Sequence, residues 1–191
     1  MGRGKATLPL PDGETFLSRI VETFHAAGVD DVVVVVGHDG ERVIDAVAST
    51  GACARARFVR NPHYEQGQFS SLVKGLNVVD RPGVVAALLT LVDVPLVSAA
   101  TVAAVIDCYA RTHVPIVRPT RGDEHGHPVL IDRSLFDDIR RADPSHGAKA
   151  VVRAHASPAG DIRIDDDGAF LDIDTPEEYE RVMRQLTGGR G

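Results

Sequence analysis

The residues of this sequence best suited to chemistry gather where apolar runs end. After Val36 stand Gly37, His38 and Asp39. After Val59 come Arg60, Asn61 and Pro62, then the loop from His63 to Gln68 and the pair Ser70-Ser71. After Val92 come Asp93, Val94, Pro95 and Leu96, and within and just past the last apolar run stand Asp172 and Asp174. Arg3 and Lys5 add positive charge near the N-terminus. Two or three carboxylates at strand ends beside a lysine suit a hard divalent cation that holds phosphates. Mg2+ takes few protein carboxylates, keeps water, and completes its shell with phosphate oxygens of the substrate. The lysine then neutralises charge developing on phosphoryl oxygens.

Each of these residues also has a plainer reading. An aspartate after a strand often caps a turn or helix, although the spacing Asp93-x-Pro95 after nine largely apolar residues places Asp93 poorly for packing. Asp174 precedes Thr175-Pro176-Glu177-Glu178 and also suits a helix start. Lys5 reads equally as a solvated charge. His125-Gly126-His127 has no third ligand in sequence and reads as a loop rather than a metal site. Ser70 and Ser71 lack the G-x-S-x-G context of a hydrolase nucleophile. G-x-G-x-x-G and G-x-x-x-x-G-K-S/T are absent as well, which disfavours a dinucleotide dehydrogenase or a P-loop enzyme.

The elements that must position these residues alternate between strand and helix. Phe16, Ile20, Val21 and Phe24 share one helical face between Thr15 and Ala27. The valines of 32–36 and the run Val84 to Val92 have the continuous apolar character of strands buried on both faces. Further helices are expected over 41–49, 67–79, 99–111, 134–141 and 148–154, and further strands over 55–59, 114–118 and 129–131. Segments 161–164 and 169–173 flank Asp166-Asp167-Gly168, a hairpin signal. Thr175, Pro176 and the following glutamates favour a last helix. This alternation implies an α/β sheet covered on both faces, with ligands beyond the carboxyl ends of its strands.

A chain of 191 residues without a composition break reads as one domain, 1–191. Its net charge of −6 argues against a general binder of nucleic acid or anionic membranes. With no Trp and 5% aromatics it offers little for base stacking. Cys53 and Cys108 have no zinc or redox spacing and read as buried thiols. No apolar run reaches the ~18 residues of a membrane span, and no signal core follows Met1-Gly2-Arg3-Gly4-Lys5. Ala6 stands where a myristoylation signal needs Ser or Thr. A soluble, cytoplasmic protein is expected.

Taken together, the segments resemble the MobA-like nucleotidyltransferase family, closest to its molybdenum cofactor cytidylyltransferase branch. Met1-Gly2-Arg3-Gly4-Lys5-Ala6-Thr7-Leu8-Pro9-Leu10 resembles R-M-G-x-x-K-x-L-L-P-L. The stretch from Asn61-Pro62-His63-Tyr64 through Gly67, Ser70-Ser71-Leu72 and Gly75-Leu76 resembles N-P-x-W/Y-x-x-G-M-x-x-S-L-x-x-G-L. Leu91 to Val97 resembles L-x-D-x-P-L-V, Gly126 to Leu130 resembles G-H-P-V-L, and Leu171 to Tyr179 resembles D-I-D-T-P-E-D-L. The resemblance runs over nearly the whole chain. Any one motif is weak, but five in the family's order are specific.

The resemblance implies a Rossmann-like three-layer α/β fold with a mostly parallel sheet, of the nucleotide-diphospho-sugar transferase type. It implies Mg2+-dependent transfer of a nucleotidyl group from CTP, or another NTP, to a phosphate on a small-molecule acceptor such as molybdopterin, with release of pyrophosphate. Lys5 and Asp93 would be catalytic. Arg3, Lys5, Asn61, Gly67, Ser70 and Ser71 would line the nucleotide site, and Gly126, His127 and Pro128 the acceptor side. Asp93, with Asp172 or Asp174, would hold the metal.

Relative to the family, this sequence begins after the first strand and the L-A-A-G-x-S-x-R loop. The sheet is therefore expected to lack an inner strand, with the flanking strand edges unpaired or covered. Val92 and Val94 replace the Gly and Gln usual in the cytidylyltransferases. Gln68, Phe69 and Val73 also depart from the pattern, and these differences bear on base and acceptor choice. A nucleotide-binding relative without turnover and a sugar-phosphate nucleotidyltransferase are the alternative functions.

Overall fold

The first long helix begins where the sequence supplies a cap. Thr15 Oγ1 accepts the Ser18 N–H at 3.1 Å, and Ser18 Oγ accepts the Thr15 N–H at 2.7 Å. Two donors that a helix start leaves free are satisfied reciprocally. Helix α1 (Phe16–Ala26) then buries Phe16, Leu17, Ile20, Val21 and Phe24 along one side. The structure, a computed structural model, describes residues 4–48 and 52–188; Arg3 and the side chain of Cys53 lie outside the described residues. Cys108 is buried, as expected.

After α1 the chain runs through β1 (Val32–Val36), α2 (Gly40–Ala48), β2 (Ala56–Arg60), α3 (Gln68–Val79), β3 (Ala86–Leu89) and α4 (Ala99–Thr112). There follow β4 (Ile116–Arg121), β5 (Glu124–His125), β6 (Val129–Asp132), α5 (Phe136–Arg141), α6 (Gly147–His155), β7 (Asp161–Arg163) and α7 (Pro176–Gly188). Strands β1 and β2 pair in parallel, from Val32 opposite Ala56 to Val36 opposite Arg60. Strand β6 is antiparallel to both β3 and β4, so β3 and β4 run in one direction, and β7 is parallel to β4. The two-residue β5 folds back on β4.

Helices cover both faces, which makes three layers. Leu17 and Val21 of α1 and Val47 of α2 pack with Val32, Val34 and Phe58, while Gly75 of α3 lies against Val35 on the opposite face. Beyond β3, Val105 and Cys108 of α4 pack with Leu88, Val117 and Leu130. Leu76, Phe136 and Ile139 of α3 and α5 close the other side over Ile116 and Ile131. The α/β, Rossmann-like class expected from the sequence is the one observed, with β6 as its reversed strand.

Two expectations about local structure are corrected. The apolar runs of β1 and β3 are only half-buried, apart from Val36. The reason is topological: among the described residues β1 pairs only with β2, and β3 only with β6, so each keeps one open edge. Val32 and Leu88 nevertheless touch one shared cluster built on Ile20, Phe24 and Val102.

The hairpin expected around Asp166-Asp167-Gly168 does not form, and 169–173 is not a strand. Asp166 instead accepts from Ser98 N at 2.9 Å, Thr101 Oγ1 at 2.6 Å and Gly168 N at 3.0 Å. It ties its own short 3-10 turn (Asp167–Ala169) to the start of α4. A side chain at Gly168 would sit 2.0 Å from the Leu96 carbonyl oxygen, so the backbone there packs directly on the loop after β3. Among the described residues, no helix is long and apolar enough to cross a membrane.

Candidate active site

Three chain segments meet at the end of β3. The first is the loop carrying Asp93. The second is 169–173, anchored when Ile173 N donates to Asp93 O at 2.8 Å. The third is the 3-10 turn Lys5–Thr7. Lys5 Nζ donates to Asp93 Oδ2 at 3.3 Å and closes on Asp174 Oδ1. Asp174 in turn stands at the start of α7. There Glu178 accepts the N–H groups of Asp174 and Thr175, each at 2.9 Å, and Thr175 Oγ1 accepts Glu178 N at 3.2 Å. The helix cap thus fixes where Asp174 can reach.

The electrostatics follow from this crowding. Burial alone would lower the Lys5 pKa, but hydrogen bonds and charge from Asp174 and Asp93 outweigh it and raise it. Asp174 is held below the usual carboxylate range by its hydrogen bond to Lys5. Asp172 is pushed up by burial first, then by the negative charge of Asp93 and Asp174. Burial also lowers His127, whose Nδ1 lies 3.4 Å from Leu89 O. Asp93 Oδ1 is buried and has no hydrogen-bond partner, and neither has Thr90 Oγ1.

The Gly126-His127-Pro128 segment is brought to the same place. His127 N donates to Ala169 O at 2.8 Å. A Cβ at Gly126 would lie 2.5 Å from that carbonyl oxygen. The His127–Pro128 peptide is cis. Segment 169–173 therefore links Gly126-His127 on one side with Asp93 on the other.

Asn61, Gly67, Ser70 and Ser71 form a second group, at the ends of β1 and β2. Asn61 is 2% exposed and its backbone N–H caps β1 by donating to Val36 O at 2.8 Å. Its Nδ2 donates to Ser70 Oγ at 2.8 Å and Ser71 Oγ at 3.0 Å, and its Oδ1 accepts His63 N at 3.0 Å. Ser70 Oγ also donates to the Gly67 carbonyl at 2.8 Å. Gly67, with φ 91° and ψ 179°, makes the turn into α3, a conformation reserved in practice for glycine. Among the described residues, no hydrogen bond joins this group to the carboxylates near Lys5.

Beside it lies a cleft of about 320 Å³ lined by Gly37, His38, Arg42, Arg60, Asn61 and Tyr64. Tyr64 packs on Gly37, where any Cβ would come within 2.5 Å of the Tyr64 Cβ, and its hydroxyl lies 3.4 Å from His38 Nδ1. Reasoning from strand ends pointed to Gly37 and His38 without assigning them a role. It missed Thr90, whose signal is a single hydroxyl inside an otherwise apolar run.

The carboxylates fit a cation that brings most of its own shell. Among the described residues, no three His, Cys, Asp or Glu side chains are arranged to enclose a metal ion. What they offer is an unpartnered buried oxygen on Asp93 with Asp172 and Asp174 nearby. That suits a hard dication bound through one or two carboxylates, water and phosphate oxygens.

Comparison with known proteins gives the family and the fold. The family model described as the MobA-like NTP transferase domain matches residues 1–159. A curated relative, nicotine blue oxidoreductase of Paenarthrobacter nicotinovorans, is 27% identical over 195 aligned positions, covering 96% of this chain and 90% of the relative. The crystal structure of Rv0371c from Mycobacterium tuberculosis H37Rv superposes with a TM-score of 0.79 at 26% identity, over 96% of this chain and 91% of that one. A structure of Rv0371c in complex with manganese gives a TM-score of 0.73 at 27% identity, over 94% and 91% of the two chains. A nucleotidyl transferase from Methanothermobacter thermautotroptrophicus shares the fold, with a TM-score of 0.77 at 21% identity over 97% and 86%.

Proposed function

Since the chain belongs to the MobA-like NTP transferase domain family, an enzyme family of nucleotidyltransferases, we propose that it moves a nucleotidyl group from CTP or another NTP to a phosphate on a small-molecule acceptor. Molybdopterin is the acceptor that the sequence resemblance favours. The observation that carries this reading is the cluster of Lys5, Asp93 and Asp174 at the end of β3, with Asp93 Oδ1 left unpartnered. The oxidoreductase name of one relative is a reminder that a scaffold hosts several chemistries, so the reaction is read from the site.

In the proposed reaction an acceptor phosphate oxygen attacks the α-phosphorus, a new P–O bond forms there, and the bond from the α-phosphorus to the bridging oxygen breaks. Pyrophosphate leaves with that oxygen. The nucleophile is already anionic, so positioning and charge neutralisation carry most of the work. Asp93, with Asp172 or Asp174, would hold Mg2+, and the metal would supply neutralisation of the phosphate charge. Lys5 meets the triphosphate as a mobile positive charge. Asn61 holds Ser70 and Ser71 at the start of α3, where with Gly67 they border the nucleotide, and so acts as a positioning residue. His127, kept neutral by burial, lies with Gly126 and Pro128 on the acceptor side.

The test is pyrophosphate release with CTP and GTP and candidate phosphorylated acceptors, for wild type and Asp93→Asn. A fall of about 10²- to 10³-fold in the variant, with unchanged melting, is the expected result. Equal turnover by both proteins removes Asp93 from the mechanism. Nucleotide binding without turnover is the second reading. Binding of CTP without pyrophosphate release for any acceptor would select it.

A further inference from the structure

The Lys5 ammonium reaches two carboxylates from different segments, Asp93 after β3 and Asp174 before α7. Both carboxylates belong to the set that would hold a dication under the nucleotidyl-transfer reading, on which this inference rests. Lys5 is the positive charge that ties two of the cluster's carboxylates together. An ammonium and a dication compete for the negative charge of these two carboxylates. The arrangement is also asymmetric. The Asp93 side chain is 19% exposed and that of Asp174 is 59% exposed, so the Asp174 arm of the clamp faces water and parts more cheaply.

We infer that Lys5 is an exchangeable internal cation: it holds Asp93 and Asp174 against entry of a bare metal ion, and yields them when a metal ion arrives together with a polyphosphate. Before the exchange, one ammonium faces the carboxylates. After it, Asp93 and Asp174 would hold the dication, and the Lys5 ammonium moves to phosphate oxygens, a strong anionic partner. Lys5 has the means to do so: a flexible four-carbon stem, a place in a short 3-10 turn, and a side chain 29% exposed. Metal and triphosphate then bind with positive coupling, each removing an obstacle to the other.

Mn2+ retained with the protein in equilibrium dialysis, counted above the freely dialysing Mn2+–triphosphate complex, tests this without turnover. The proteins are wild type, Lys5→Met, Lys5→Gln and the charge-retaining Lys5→Arg, each with and without inorganic triphosphate. The two neutral variants are expected to bind Mn2+ alone about fivefold to tenfold more tightly than wild type. Triphosphate is expected to tighten Mn2+ binding in wild type and Lys5→Arg, and to do so much less in the neutral variants. Two neutral substitutions guard against one of them failing to fold, which circular dichroism reports. Equal Mn2+ affinity in wild type and both neutral variants overturns the exchange. If that shared affinity is lost in Asp93→Asn, the cation site itself stands. Absence of Mn2+ binding in every protein, with and without triphosphate, overturns the exchange and the proposed function together.

Discussion

Ile173 donates its backbone N–H to the carbonyl of Asp93 at 2.8 Å. Through this bond the segment before the last helix becomes one wall of the loop after β3. The same segment receives His127 N at Ala169 O and presents Phe170 to the Arg121 guanidinium, whose carbon lies 4.5 Å from the ring centroid. The position of the Asp93 carboxylate therefore depends on residues that never touch it.

Asp166 is the first of them. It accepts three hydrogen bonds that join the turn before 169–173 to the start of α4. Burial alone would raise its pKa, but donation from Thr101, Ser98 and Gly168 outweighs that and lowers it. A lowered folded-state value means stability present above the ordinary aspartate pKa of about 4 and lost as pH falls through it. Asp166→Asn is expected to cost about 1–2 kcal/mol at pH 7 in urea denaturation. The wild-type advantage should shrink steadily below about pH 4. An advantage that is constant with pH would show that the carboxylate charge plays no part.

Asn61 offers a different kind of test, because its amide is engaged on every side and almost inaccessible. Asn61→Ala removes the partner of Ser71 Oγ and of the His63 N–H and leaves Ser70 Oγ only its carbonyl partners. The expected cost is about 1–3 kcal/mol in chemical denaturation. In steady-state assays KM for the NTP should rise by a larger factor than kcat falls, since the residue orders the nucleotide loop without meeting the reacting atoms. A fall in kcat with KM unchanged would place Asn61 nearer the chemistry than its burial suggests.

Gly67 probes the same loop through the backbone. Its φ of 91° and ψ of 179° lie where a side chain is strained whatever space surrounds it, and no atom comes within 4 Å of an added Cβ. Gly67→Ala should cost about 1–3 kcal/mol from conformation alone. Thermal unfolding measures it, and a loss below 0.5 kcal/mol, within the usual surface range of about ±0.5, would mean that the turn relaxes freely.

How far the sequence foretold this arrangement differs by element. Capping chemistry carried well at Thr175, whose Oγ1 accepts the Glu178 N–H as its type suggests. Apolar character located β1 and β3 but misjudged their burial, because a run of valines reports β propensity and not whether both edges find partners. The Asp166-Asp167-Gly168 signal failed because turn residues describe local geometry only. The tertiary donors Ser98 and Thr101 drew Asp166 elsewhere. At the candidate site, Asp93, Asp172 and Asp174 stood out by their positions after apolar runs. The bridging of two of them by Lys5 is a long-range contact that no spacing rule contains. The cleft beside Tyr64 was illegible for the same reason, whereas Thr90 carried a signal, a lone hydroxyl in an apolar run.

Gly126 joins stability to the site most directly. Its missing side chain lets the backbone pass the Ala169 carbonyl, which a Cβ would meet at 2.5 Å, and the Phe170 ring, which it would meet at 3.0 Å. The carbonyl belongs to the backbone and cannot swing aside like the end of a flexible side chain. Gly126→Ala must therefore push 169–173 away from β5 and β6, and the hydrogen bond from Ile173 to Asp93 lies on the path of that displacement. Overpacking of this kind costs about 1–3 kcal/mol, readable in urea denaturation. Pyrophosphate release at a temperature where the variant remains folded should fall by more than tenfold, on the order of the cost of misplacing a reacting group. Gly122→Ala, in the nearby turn and with nothing within 4 Å of its added Cβ, should lose stability through its φ of 59° yet keep its turnover. Equal loss of turnover in both variants would mean that general destabilisation, and not the placement of the Asp93 loop, limits the reaction.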